Sequence, residues 1–338
     1  MSLIKVNVEP EKVHLKSSSQ TLDPAVATIL RRQKYQIIGG HSAVKKCRWL
    51  HKSLTAGEPC YKEKFYGIRS HRCLQVTPAV VWCTQRCLYC WRIQEGESHL
   101  SSSLESPASW DSPADLAVQS IVAQRRILSG YKGQVAEGRV DPKKYSEAME
   151  PKHAAISLTG EPTIYPFLDG LISEYHRLGL TTFLVTNGTR PEALANLKEE
   201  PTQIYISLSA PNLERYIHIC RPTSPGCWQG ILETLELLKS FSCPTAVRIT
   251  LVKGYNMQDL QDYARLILRA EPTYIEPKAY MYVGYSRRRL QFSNMPSHKE
   301  VHEFALRLAD YTGYKIIDES VDSRVALLSR LERPISIM

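Results

Sequence analysis

No apolar run in this sequence approaches the roughly 18–20 residues that a membrane-spanning helix requires. The opening segment, "MSLIKVNVEPEK", lacks the apolar core and small-residue cleavage site of a secretory signal. Neither a Gly/Ser-rich linker nor an internal repeat divides the chain, and no block of like charge is long enough to form a disordered tail. These absences lead us to expect a cytoplasmic, globular protein with no membrane partner. A disulfide framework is disfavoured as well. At 338 residues the chain buries a sufficient core without staples, and its nine cysteines are an odd number. Clustered cysteines in a reducing compartment favour metal over disulfide. The 43 basic and 34 acidic residues leave a net charge of +9, which suits either an ordinary basic surface or an anionic partner such as RNA.

From about residue 77, short apolar runs alternate with longer amphipathic ones. "PAVVWC", "HAAISL", "TTFLVT", "QIYISLS", "TAVRITLV" and "TYIEPKA" have the composition of buried strands. Between them, "SPADLAVQSIVAQRRIL" opens with Ser112 at an N-cap and Pro113 at the first helical position. "PSHKEVHEFALRLADYT" opens with a Ser297–Glu300 capping box, and "MQDLQDYARLILRAE" carries apolar residues at helical spacing. Six such alternations predict an α/β fold, a partial (βα)6 barrel of parallel strands with right-handed crossovers. Chemistry in that architecture belongs at the C-terminal ends of the strands. The barrel is expected over 77–318, preceded by an N-terminal extension over 1–76 and followed by a C-terminal tail over 319–338. The extension contains one probable helix, "PAVATILRRQKY", and three separate cysteines. "EGESHLSSSLESPASWDSP" is expected to be a polar loop.

"VVWCTQRCLYCWR" places Cys83, Cys87 and Cys90 in a C-x-x-x-C-x-x-C array directly after the first expected strand. Zinc would need a fourth ligand, for which Cys73 and His71 are available. A four-iron cluster held by three thiolates would instead keep one iron open for a ligand. The array, with Tyr89 before its last cysteine, resembles the signature of the radical S-adenosylmethionine (radical SAM) superfamily. The resemblance implies that the open iron chelates the methionine part of the cofactor. One electron from the cluster then releases a 5′-deoxyadenosyl radical. Gly160-Glu161-Pro162 is similar to that family's glycine–glutamate–proline motif, although a single glycine precedes the glutamate. Thr186 and Asn187 in "LVTNGTRP", and Ser209 at the end of the fourth strand, are the further cofactor-contact candidates.

Cys47, Cys60 and Cys73 are separated by twelve residues each time, a spacing with no metal-binding logic of its own. Locally they read equally as three buried thiols or as ligands of a second cluster. Together with "CWR", "GEP", "TNG" and "DESVDSRVALLSR", however, they resemble the archaeal 4-demethylwyosine synthases of wybutosine biosynthesis. That resemblance implies two 4Fe-4S clusters and S-adenosyl-L-methionine. It implies a carbon–carbon lyase that turns N1-methylguanosine, next to the anticodon of tRNA(Phe), into 4-demethylwyosine with pyruvate as two-carbon donor. It further implies that Lys62 forms a Schiff base with pyruvate, unless the second cluster's open iron chelates it instead. Alone, Lys62 would read as a surface lysine, and Lys64 is its nearest competitor. Residues 1–76 are too short for the flavodoxin domain of eukaryotic relatives, so an external one-electron donor, a flavodoxin or ferredoxin, is expected. A monomer is expected too. Cys220, Cys227 and Cys243 are assigned to packing, and His41 and His71 to solvated or structural roles or to support behind the metal ligands; Arg287, Arg288 and Arg289 are candidates for the anticodon stem, the alternative being a solvated loop. The alternatives are a radical SAM enzyme on another substrate, or a zinc-stabilised RNA-binding protein.

Overall fold

The computed structural model describes residues 22–94, 97, 107 and 109–337; the opening segment and most of the polar loop lie outside the described residues. The strands are β1 (Gln36–Ile38), β2 (Ser42–Val44), β3 (Cys73–Thr77), β4 (His153–Ile156), β5 (Thr181–Thr186), β6 (Gln203–Ser207), β7 (Thr245–Leu251), β8 (Tyr274–Ala279), β9 (Lys315–Ser320) and β10 (Val325–Ser329). Among the described residues they form one sheet in the order β1-β2-β3-β4-β5-β6-β7-β8-β10-β9. The six strands β3 to β8 are parallel, with Cys73 opposite His153, Phe183 opposite Gln203 and Arg248 opposite Glu276. This is the expected α/β partial barrel.

Side-chain alternation gives the barrel two different faces. Leu74, Val76, Ala154, Ile156, Leu184, Ile204, Ile206, Val247 and Ile249 pack outward into the main core beneath the crossover helices. Phe183, Tyr205, Ala246 and Tyr274 point inward and meet Tyr61, Phe65 and Tyr66 of a short helix from the extension. Burial on both faces explains why these strands read as continuous apolar runs. The helices that matter below are α1 (Pro24–Arg32), α2 (Arg48–Thr55), α3 (Tyr61–Tyr66) and α4 (Pro113–Ser129). The Ser112 side chain caps α4 by accepting from the Asp115 N–H, and the Ser297–Glu300 capping box opens the helix His298–Thr312.

Three placements differ from expectation. The first barrel strand is Cys73–Thr77, not the run Pro78–Cys83. Pro78 has no N–H for the ladder. The apolar residues after it are buried instead under α1 and the β1–β2 hairpin, with Val80 donating to the His41 carbonyl (2.9 Å). Cys83 therefore stands six residues beyond the strand end. The boundary at 76/77 falls inside β3, to which β2 is paired antiparallel through Ala43–Thr77 and Val44–Val76. The boundary at 318/319 falls inside β9, and β10 is a fully buried strand paired on both sides rather than a tail. No helix among the described residues is long and apolar enough to cross a membrane.

Candidate active site

The first cysteine triplet lies on a loop braced from several directions. Residues 84–88 run against residues 219–223, through Arg86 N–H to the Cys220 carbonyl (3.0 Å), Leu88 N–H to Ile219 (2.9 Å) and Thr223 N–H to Thr84 (2.9 Å). The buried Arg92 guanidinium donates to the carbonyls of Val81 (2.9 Å) and Gln85 (2.8 Å), and its charge acts on all three thiols. Gln94 donates to the Cys87 carbonyl at 2.9 Å. Arg289 corrects the sequence-based expectation. It turns inward, donates to the carbonyls of Leu88 and Cys90 and pairs with Glu97, so it clamps the cysteine loop and is not free for an anticodon stem. Arg287 and Arg288 remain exposed, stacked over Tyr282 and Tyr285. Cys220 is also more than packing. Its thiol holds the Cys87 thiol below its usual range against the effect of burial, while Cys87 Sγ donates to Gln85 Oε1 at 3.2 Å. Burial pushes the Cys83 thiol up to about 12, with Arg92 opposing.

The other cofactor candidates gather around this loop. Gly160 has φ +71°, and a Cβ there would lie 1.7 Å from the Ala79 carbonyl oxygen, so only glycine permits the close approach. Next to it, the Glu161 carboxylate is buried and fully engaged. It accepts from Thr163 N–H (3.1 Å), Thr163 Oγ1 (2.7 Å), Thr186 Oγ1 (2.5 Å) and Asn187 N–H (2.8 Å). Burial nevertheless pushes its carboxyl up, against these four donors. Glu161 thus ties the turn after β4 to the end of β5. Asn187 in turn donates to Thr84 Oγ1 (2.9 Å) and reaches the Cys83 sulfur at 3.7 Å. Tyr89 donates to Ser209 Oγ at 2.7 Å, linking the cysteine loop to the segment after β6. Asn256, which no sequence motif marked, fixes that segment by donating to the Ser209 and Thr250 carbonyls.

The second triplet is assembled from three elements. Cys47 immediately precedes α2, Cys60 precedes α3, and Cys73 opens β3. Cys47 and Cys60 each stand at a helix N-cap position without a side-chain cap hydrogen bond. Burial pushes all three thiols up, reinforced for Cys60 and Cys73 by the neighbouring thiols. Lys62 projects into the barrel, its Nζ 4.1 Å from the ring centres of both Phe183 and Tyr205. Lys64 points the other way, to Asp318 (2.6 Å) and the Glu319 carbonyl (2.6 Å). The barrel floor beside Lys62 holds groups that strand composition did not single out. Glu276 accepts from Arg248 (2.8 and 3.1 Å), Tyr66 (2.7 Å) and Tyr61 (3.2 Å), and Lys278 lies over the Tyr61 ring. Burial opposes the charge on Glu276, but Arg248, Lys62 and Tyr66 outweigh it and keep the carboxyl below its usual range. Burial pulls both Lys62 and Lys278 down to about 8. The available signal was the presence of Arg248, Glu276 and Lys278 inside otherwise apolar strands, where an ionised group needs a local reason.

Among the described residues no three His, Cys, Asp or Glu side chains converge as on one metal ion. Neither candidate fourth ligand joins the first triplet. His71 pairs with Glu147 at 2.7 Å, and Cys73 belongs to the second set. His41 is structural, bonded to the Pro78 carbonyl (2.6 Å) and the Asp111 N–H (2.9 Å).

Residues 77–267 match the family model for the radical SAM superfamily, and residues 269–330 match that for wyosine base formation. The S-adenosyl-L-methionine-dependent tRNA 4-demethylwyosine synthase of Pyrococcus abyssi is 49% identical over 96% of this chain and 94% of its own. That of Methanocaldococcus jannaschii is 45% identical over 91% and 96%. A solved structure of TYW1 with a lysine-pyruvate adduct bound is similar with a TM-score of 0.84 and 43% identity, covering 94% of this chain and 99% of that one. Arg289, in the wyosine segment, holds the cysteine loop of the radical SAM segment, so the two matched regions build one site. With a radical SAM barrel, its braced cysteine loop and this degree of identity along nearly its whole length, the chain belongs to the S-adenosyl-L-methionine-dependent tRNA 4-demethylwyosine synthase family of radical SAM enzymes.

Proposed function

We propose that this chain converts N1-methylguanosine, beside the anticodon of tRNA(Phe), into 4-demethylwyosine with pyruvate as the two-carbon donor. Cys83, Cys87 and Cys90 would hold one 4Fe-4S cluster, and Cys47, Cys60 and Cys73 a second. When bound, the first cluster and S-adenosyl-L-methionine supply the one-electron chemistry that generates a hydrogen-abstracting radical. The chain's own residues orient and enclose. Gly160 lets two loops close on each other, and Glu161 uses its carboxylate to position Thr186 and Asn187. Tyr89 and Ser209 tie the cysteine loop to the barrel rim. The guanine must leave its stack in the anticodon loop to reach this interior. An external flavodoxin or ferredoxin would deliver the electron, and the monomer would suffice as the working unit.

The observation that carries the pyruvate step is the position of Lys62. Its amine faces the barrel interior beside the second triplet, whereas Lys64 is held outside by Asp318. Attack of the neutral amine on the ketone carbon, followed by loss of water, gives an imine and activates the two carbons to be transferred. The related TYW1 structure with a lysine-pyruvate adduct supports this assignment. Borohydride reduction in the presence of labelled pyruvate should therefore leave a stable label on the Lys62 peptide, and Lys62→Ala should lose product while keeping both clusters. A label on Lys64 would move the imine to that residue, and full activity in the Lys62 variant without any lysine label would favour chelation of pyruvate by the second cluster.

A further inference from the structure

We propose that Phe292, braced by Tyr282 at the rim of the barrel, stacks on a base of the anticodon loop that flanks the methylguanosine, with Arg287 beside it facing the phosphates. The inference rests on the tRNA reading above and adds the surface that receives the rest of the loop. Residues 281–294 follow β8 at the C-terminal end of the parallel strands, where Ala279 lies opposite Leu251. Tyr280 N–H donates to the Leu251 carbonyl at 2.8 Å. Asn294 then returns to the same place, bonded to Lys253 through its carbonyl (2.9 Å) and its side chain (3.0 Å). Between these anchors the segment is fastened to the cysteine loop. Tyr285 N–H donates to the Trp91 carbonyl at 3.0 Å. A Cβ on Gly284, at φ +60°, would lie 2.6 Å from that carbonyl oxygen, so glycine permits the contact. Arg289 holds the Leu88 and Cys90 carbonyls. The segment therefore joins the strand ends to the first triplet, on the side of the barrel where a substrate base has to enter.

Its surface has the chemistry of a single-stranded RNA contact. Residues 281–294 carry three arginines and no acidic residue. Arg289 is committed to Glu97 and the cysteine loop. Arg287 is exposed, lies 5.3 Å from the Tyr282 ring centre and forms no ion pair among the described residues. Phe292 meets the half-buried Tyr282 in a T-shaped contact with ring centres 5.9 Å apart. It is nevertheless 67% exposed, more than any other large apolar side chain among the described residues. A lone exposed apolar residue is ordinary. Here the ring is held by an aromatic neighbour, stands beside a cation and belongs to a segment fixed to the site loop. A ring for base stacking and a cation for phosphate are the two contacts by which proteins hold unpaired nucleotides. When the methylguanosine swings into the barrel, its neighbour in the loop loses a stacking partner. The Phe292 ring replaces that partner.

The test is a double-mutant cycle on RNA binding by the cluster-loaded protein. The RNAs are synthetic anticodon stem-loops of tRNA(Phe) carrying N1-methylguanosine, either intact or made abasic at one of the two flanking nucleotides. Phe292→Ala should weaken binding of the intact loop by about fivefold to a hundredfold, the range for one base–aromatic stack. Phe292→Trp should keep the parent affinity. The salt slope should not change in Phe292→Ala, because a phenyl ring neutralises no phosphate. With one of the two abasic loops, Phe292→Ala should have no further effect. Iron content and the urea unfolding midpoint should match the parent protein. An unchanged affinity for the intact loop overturns the proposal. If that variant instead slows reduction of the first cluster by a purified flavodoxin or ferredoxin, the surface serves a protein donor. The same loss on the intact and both abasic loops also overturns it, by removing the stacked base. Failure of the parent protein to prefer the methylated stem-loop over an unrelated hairpin is the separate outcome that defeats the tRNA reading itself.

Discussion

Cys83, Cys87 and Cys90 share one loop whose backbone is held by Arg92, Gln94 and Arg289, whereas Cys47, Cys60 and Cys73 come from two helix starts and a strand start. The first site is attached to the rim of the barrel and the second is built into its wall. Cys73 opens β3, so it stands about 13 Å below the strand end, at a rise of roughly 3.3 Å per residue. A rim site can be disturbed without disturbing the core. A wall site shares its residues with the core, and its neighbours Tyr61, Tyr66 and Tyr205 are themselves core side chains. One barrel therefore carries a braced cysteine loop beyond its strand ends and a cluster of charged side chains in its interior.

The largest expected effect separates the two sites by chemistry. Cys83→Ala, Cys87→Ala or Cys90→Ala should remove about four irons and abolish reductive cleavage of the cofactor. Cys47→Ala should also remove about four irons but leave uncoupled cleavage in place. Loss of cleavage in both sets, in folded protein, would erase the proposed division.

A second contrast is in stability. Arg248→Met leaves the Glu276 carboxylate buried without its cation, and breaking such a pair should cost about 3–5 kcal/mol in urea unfolding. Arg289→Met should cost less, roughly 1–3 kcal/mol, yet perturb the first cluster's spectrum, which Arg248→Met should leave alone. Equal spectral effects would show that floor and rim are not independent.

His153, across the ladder from Cys73, provides the pH test. Burial lowers its imidazole to about 4 from 6.5, so the unfolded chain binds the proton first as pH falls. Its stability contribution is complete above about pH 6.5 and is lost progressively down to about 4, by roughly 3 kcal/mol. Unfolding midpoints for the parent and His153→Gln should diverge less at pH 5 than at pH 7. A constant difference would show that His153 titrates alike in the folded and unfolded chain.

The smallest effect belongs to the surface. With Arg289 committed to the loop, Arg287→Ala/Arg288→Ala should flatten the salt dependence of tRNA binding by about 0.7–0.9 in log–log slope for each phosphate these two side chains neutralise. An unchanged slope would leave both arginines as solvated rim residues.

Much of the frame follows from local chemistry that survives being read one residue at a time. Caps at Ser112 and at Ser297–Glu300, the helix at Pro24–Arg32, and β4 to β8 each announce themselves through nearby residues. The rim triplet does so too, because its three cysteines lie within eight residues. The run Pro78–Cys83 misleads, since apolar composition reports burial and not the partner that provides it. The placement of Lys62 inside and Lys64 outside is suggested only by resemblance, because the way α3 packs on the barrel and a partner at Asp318 decide it. By itself the sequence determined the parallel barrel and the close-set cysteine array, since periodicity, capping and close spacing are short-range properties. Only the tertiary structure turned Arg289 onto that loop, set Cys220 against Cys87, and gathered Lys62, Arg248, Glu276 and Lys278 around the second triplet. Those interactions join residues from distant parts of the chain, and no local pattern encodes a distance across a barrel.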